Sequence, residues 1–128
     1  LAGPFTQTIN GTLTGSGASE TRRIFYSSDT LGTARTLTLA NPTTLTNCDF
    51  RDITAATSAI TATGGGDCGG NTSITFPIPK TVYWNLAGAQ NWSATGWAAT
   101  SGGTPAAANF PLAQDTALFD NTGSVTGV

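Results

Sequence analysis

Short runs of alternating apolar and polar residues, separated by turn-forming clusters, recur along the first 80 positions. In "FTQTINGTLT" (5–14) Phe5, Gln7 and Ile9 alternate with Thr6, Thr8 and Asn10. The pattern resumes after Asn10-Gly11, a dipeptide that favours tight hairpins, and so predicts strand, turn and short strand. "GSGASE" (15–20) reads as loop and "RRIFYSS" (22–28) as strand, from its aromatic and β-branched content. Further strands are expected at "RTLTLA" (35–40), "LTNCDFRDI" (45–53), "SAITA" (58–62) and "SITFPI" (73–78). Matching Leu37 and Leu39 to Ala59 and Thr61 gives a step of about 22 residues, and matching Cys48 and Phe50 to Ile74 and Phe76 one of about 26. Such steps suit a short parallel β-solenoid, each coil burying its inward side chains on the last. An antiparallel β-sandwich or jelly roll spaces strands and turns similarly and is the alternative.

Composition strengthens the all-β reading. Only 9% of the 128 residues are charged, against roughly 25% in ordinary domains, and Thr, Ser, Asn and Gly supply most of the polarity. Thr is β-branched and loses rotamer freedom in a helix, whereas it packs well on a pleated surface. The organisation expected is N-terminal strands and loops with a candidate attachment segment (1–35), solenoid-like coils (36–80) and an aromatic-rich β module (81–128). A formal charge of −2 with four Arg and one Lys excludes the clustered cations that nucleic acid requires. Arg22-Arg23 reads as a solvated pair or an ion-pair partner rather than an anion site. No apolar run approaches the roughly 20 residues of a membrane span, so no insertion is expected. The chain starts at Leu1 and lacks Met, which suggests a processed product or a piece of a longer polypeptide. A short solenoid has open ends that invite pairing, so self-association, a trimer for instance, or continuation of the chain is expected.

Little in the sequence carries reaction chemistry. Two cysteines without a single His cannot make a structural zinc site, and neither metal nor cofactor is expected. Cys48 and Cys68 are either a disulfide closing a loop of about 20 residues, contributing roughly 3 kcal/mol, or two small buried apolar residues. "GGGDCG" (64–69) fits a dinucleotide fingerprint formally, but strand-like residues and prolines follow where a helix is needed. Asp49 and Asp52 are candidates for a glycan-cleaving pair, yet on one strand they would face opposite ways, and the structural reading with Arg51 as counter-charge is preferred. Asp115 and Asp120 bracket a late strand. No Ser sits in a nucleophile-elbow context, so triad chemistry is absent. Asn10, Asn71 and Asn91 head formal glycosylation sequons, frequent by chance in such a composition.

The aromatics are the one concentrated feature. "YWNLAGAQNWSATGW" (83–97) holds all three tryptophans among small residues. Tyr83, Trp84, Trp92 and Trp97 could present flat faces to sugar rings, with Asn85, Gln90 and Asn91 as polar rim. Alternatively they form a small core pinned by Phe110 and Phe119, the indole N–H groups donating to loop carbonyls. The core reading is preferred, because little else there is bulky enough to bury. The same string, followed by Ser-Gly-Gly, Pro105 and "FPLAQDTALFDNTG", resembles a module of bacteriophage and bacterial surface structural proteins. The likeness rests on Tyr83, Trp84, Asn91, Trp92, Ser93, Trp97, Gly102, Gly103, Pro105, Asp115, Phe119 and Asp120. "LTNCDFRDI" and "DCGGNTSITF" look like coils of the right-handed parallel β-helix that often precedes it, and the resemblance covers roughly residues 36–123. It implies a non-enzymatic structural component on a virion or extracellular surface, such as a tail, fibre or capsid-decorating protein, assembled with itself and other virion or surface proteins. The alternative function is a carbohydrate-binding module or a fragment of a glycan-binding tailspike.

Overall fold

The computed structural model describes residues 6–120 and 122; Phe5, and Asn121 and Gly123 at the end of the aromatic motif, lie outside them. The described residues form an all-β structure without α-helix, comprising β1 (Gln7–Ile9), β2 (Ile24–Ser27), β3 (Arg35–Leu39), β4 (Thr43–Thr46), β5 (Cys48–Arg51), β6 (Ile53–Ala56), β7 (Ile60–Thr63), β8 (Gly66–Asp67), β9 (Ile74–Thr75), β10 (Thr81–Trp84), β11 (Trp97–Ala98) and β12 (Thr116–Leu118), with one 3-10 turn at Ala107–Asn109. Two compact units divide the chain, Leu1–Pro77 and Ile78–Val128.

The first unit contains three small sheets in the orders β1-β3-β6, β2-β5-β8 and β4-β7-β9, and every pairing in them is parallel. An antiparallel sandwich does not describe this unit. From β3 to β8 the chain visits the three sheets in rotation, and before β9 it touches the first of them through a single bridge between Thr54 and Thr72. Arg35 pairs with Ile53, Thr43 with Ile60 and Asp49 with Gly66, so the circuits from β3 to β8 take 17 or 18 residues rather than 22 or 26, while Ile24 to Cys48 takes 24 and Ile60 to Ile74 takes 14. Nor does Asn10-Gly11 close a hairpin, because β1 pairs in parallel with β3.

The shorter circuit has a local cause. "LTNCDFRDI", which reads as one strand, is cut into parts of β4, β5 and β6, each in a different sheet. The cuts fall at Asn47 (φ 53°) and Asp52 (φ 55°), both left-handed, a conformation that Asn and Asp tolerate better than other side chains. Gly64 (φ 59°) turns the chain between β7 and β8, one circuit after Asn47, and Gly70 (φ 72°) follows Asp52 in the same way. Each left-handed residue shifts the strand alternation by one. The inward strand positions therefore run Thr43, Leu45, Cys48, Phe50, Ile53, Ala55, in steps of two and three, with Asp52 buried at the corner between β5 and β6.

Apart from Thr43, whose hydroxyl donates to Leu13 O at 2.9 Å, these inward residues, with Leu37, Leu39, Ile60 and Ala62, make the core of the first unit. Tyr26 lies in register with Phe50 and stacks on it at 5.2 Å and 11°, while Phe76 meets Phe50 edge-on at 5.9 Å. Outward positions carry threonine in register: Thr44 beside Thr61 beside Thr75, and Thr46 beside Thr63. These five are exposed, so that face of the sheet is polar and uncharged.

Polar side chains fasten neighbouring strands. Arg23 grips Asp49 through two 2.7 Å contacts, from Nε to Oδ2 and from Nη2 to Oδ1, and donates to the Gly64 carbonyl at 2.7 Å. Asn71 replaces a stretch of ladder: its Oδ1 accepts from Ile53 N at 3.1 Å, while Nδ2 donates to Phe50 O at 2.8 Å and to Asp67 Oδ1 at 2.7 Å.

Candidate functional site

The second unit is organised by one small sheet. β10 is central, antiparallel to β11 with Trp84 opposite Trp97, and parallel to β12 with Val82 opposite Ala117. Alternation places Val82 and Trp84 on one face of β10 and Tyr83 on the other. Val82, Trp84 and Trp97 are buried together, with Leu86, Ala94, Phe110 and Ala117 packed against them. Trp84 and Trp97 meet edge-to-face at 5.1 Å and 72°, an arrangement favoured by the ring quadrupoles. Their N–H groups donate to loop carbonyls, Trp84 to Leu86 O at 3.2 Å and Trp97 to Trp92 O at 3.4 Å. Burial thus leaves neither indole N–H unpaired.

The four residues named as a sugar surface do not form one. Trp84 and Trp97 are 3% and 1% exposed, and Tyr83 is half-buried on the opposite face of β10. Trp92 alone shows its ring, 51% exposed, in the loop between β10 and β11. Phe119 joins it, 48% exposed, 6.2 Å from Trp92 between ring centroids and 5.4 Å from Trp97. Phe119 therefore pins the core and also borders the exposed ring. A signal for this existed in the sequence: Phe119 lies two positions after Ala117, on the same face of an extended segment.

The resemblance motif also contains a structural clamp. The Asp115 side chain has no exposure, and its Oδ1 accepts from Lys80 N at 3.0 Å while Oδ2 accepts from Leu112 N at 2.9 Å. The Lys80 ammonium lies 3.5 Å from the same carboxylate. Asn85 Nδ2 donates to Gly103 O at 2.6 Å, fastening the loop that carries Ser-Gly-Gly.

No family model, curated protein or solved structure matches the chain.

Asp49 and Asp52 are occupied in holding strands, while Asp120 accepts from Thr122 N two residues on, at 3.2 Å. Asp49 is bound by Arg23, not by its neighbour Arg51. Asp52 accepts from Gly32 N at 2.8 Å and lies 3.6 Å from Arg51 Nε. It is a corner residue between β5 and β6, so the two acids are not a pair facing a common substrate. Arg51 turns its Nη1 to the Cys68 carbonyl at 2.8 Å. Among the described residues no group of three or more His, Cys, Asp or Glu could hold a metal ion.

Cys48 and Cys68 are free, which corrects the disulfide alternative. The register pairing Asp49 with Gly66 sets them three residues apart along neighbouring strands, about 10 Å at the strand rise. That exceeds the roughly 7 Å between Cα atoms that a bridge can span. Cys48 is buried, its thiol 3.2 Å from Gly15 O and 3.3 Å from Thr46 O. Burial raises both thiols above their ordinary value, and Tyr26 above its own for the same reason. As pH climbs past about 8.5, thiols of the unfolded chain ionise while the folded ones keep their protons. The unfolded state then holds fewer protons, and stability falls. We expect the urea midpoint to be unaffected by dithiothreitol at pH 7 and to decline from pH 8.5 upwards. A reductant-sensitive midpoint, or one that rises with pH, would contradict the geometry.

Proposed function

We propose that this protein is a non-enzymatic structural component of a virion or extracellular assembly, a tail, fibre or capsid-decorating element, built as a short right-handed parallel β-solenoid followed by an aromatic-rich β module. The observation that carries the reading is the rotation of the chain through three parallel sheets of the first unit, in circuits of 17 or 18 residues between β3 and β8. Each sheet ends in strands paired on one side only within it, and unpaired edges are normally covered by further coils or by another chain. Exposed rows of threonine with few charges suit contact with other copies or with neighbouring proteins of an extracellular particle. The resemblance of the aromatic string to a module of phage and bacterial surface proteins points the same way, and Asp115 and Trp97 within it have architectural roles.

Light scattering coupled to size-exclusion chromatography tests the proposal. The expected mass is a small multiple of 12.9 kDa, a trimer being the favoured case, and stable on dilution. A monomer persisting at high concentration would remove the basis for an assembling component. A second reading, carbohydrate binding by the aromatic module, is favoured by one observation: half of the Trp92 ring lies in solvent while two other indoles fill the core behind it.

A further inference from the structure

Trp92 is exposed yet held in place. Its ring lies edge-on to buried Trp97 at 4.7 Å and 61°, and its carbonyl accepts the Trp97 indole N–H. Phe119 leans towards it at 50° and is itself backed by Trp97 at 5.4 Å and by Trp84 at 5.8 Å. Two half-exposed rings thus rest on a fully buried pair, which limits the rotamers open to them. Burying more of either ring would be favourable by roughly 25 cal/mol per Å². Because Trp84 and Trp97 already fill the core, the exposed faces are surplus to it. A rigid aromatic surface with little side-chain entropy left to lose is an efficient contact element.

The surroundings restrict what it can bind. Residues 81–114 contain no Asp, Glu, Lys or Arg, and the loop carrying Trp92 presents the amides of Gln90 and Asn91 at exposed positions. An anionic ligand would be desolvated without a counter-charge and would meet the Asp120 carboxylate next to Phe119. A purely apolar ligand would make no use of the amide rim. A neutral hexopyranose fits both: its axial C–H face stacks on an aromatic ring, and its equatorial hydroxyls reach for amides at the edge.

We propose that Trp92 and Phe119 form an aromatic shelf for a neutral hexopyranose unit of a polysaccharide, with Gln90 and Asn91 as hydrogen-bonding rim. This rests on the carbohydrate-binding reading and not on assembly. Tyr83 and the buried indoles take no part in contact with the sugar; Trp97 positions Trp92.

Affinity electrophoresis of the intact chain in gels containing a soluble β-glucan, a galactomannan or alginate tests it, combined with acrylamide quenching of tryptophan fluorescence. Retardation by at least one neutral polymer and not by alginate is expected, with protection of the single quenchable indole. Trp92→Ala should weaken binding at least tenfold and Phe119→Ala several-fold, while Trp92→Phe, which keeps a flat ring, retains part of it. Native near-UV circular dichroism shows which variants fold, and indole protection in the unmodified chain gives a readout independent of them. Retardation that survives in folded Trp92→Ala overturns the site. Retardation by alginate alone overturns the neutral ligand but leaves carbohydrate binding standing. No retardation by any polymer overturns both. Shielding of the indole by raised protein concentration without sugar identifies a second copy as the occupant and overturns the proposal. A monomer in light scattering would bear only on assembly.

Discussion

Trp97→Ala is expected to lower stability by about 3–5 kcal/mol, the range for truncating a buried aromatic. Trp97 is 1% exposed and is the largest of the fully buried side chains. It touches Trp84, Trp92 and Phe119, so its removal opens a cavity among three rings that small neighbours cannot fill. The Trp92 carbonyl would also lose its indole donor. A domain of this size has a total stability of order 10 kcal/mol, so the loss should be plain in urea unfolding followed by near-UV circular dichroism. Trp92→Ala makes the informative contrast. Half of that ring is already in water, and its truncation should cost clearly less. Equal losses at the two positions would mean that Trp92 is core, and would undercut the sugar shelf with it.

Phe50→Ala should cost a comparable 3–5 kcal/mol in the first unit. Phe50 has no exposure and lies between Tyr26 from the preceding strand of its sheet and Phe76 from a later segment. Cutting it back breaks an aromatic stack that ties successive circuits together and leaves a cavity in the cluster that Phe50 shares with Leu45, Cys48, Ile53 and Ile60. Fluorescence of Tyr26 and the urea midpoint should both change. A change below about 1 kcal/mol would mean that the stack contributes little beyond its neighbours. Phe25 provides the control: it is 58% exposed on the adjacent strand, and its substitution by Ala should be nearly neutral.

Much of this was legible in the chain. The short alternating runs, the abundance of Thr and the scarcity of charge gave an all-β expectation that the sheets bear out. Several strands lie within the expected runs, as β3 does in "RTLTLA". The preference for an aromatic core was also readable, since two large indoles among Ala and Gly have to be buried against each other. What misled was the treatment of "LTNCDFRDI" as one strand. Counting strictly in twos across Asn47 and Asp52 loses the phase at each corner, and the circuit then comes out too long. Counted in alternating twos and threes, the same residues give the inward set from Thr43 to Ala55. Asn47, Asp52, Gly64 and Gly70 are the signal for that count, being residue types that accept a left-handed turn.

The sequence by itself determined the strand-forming character of the chain, its uncharged outer faces and the aromatic density of its last third, because these follow from side-chain shape and polarity. Tertiary structure decided what spacing could not. It chose parallel over antiparallel pairing, since an alternating run is compatible with either. It put Cys48 and Cys68 out of bonding reach, since loop length says nothing of register. It divided the three tryptophans into two that fill a core and one that keeps a face in water, since which ring is covered depends on the strands packed against it.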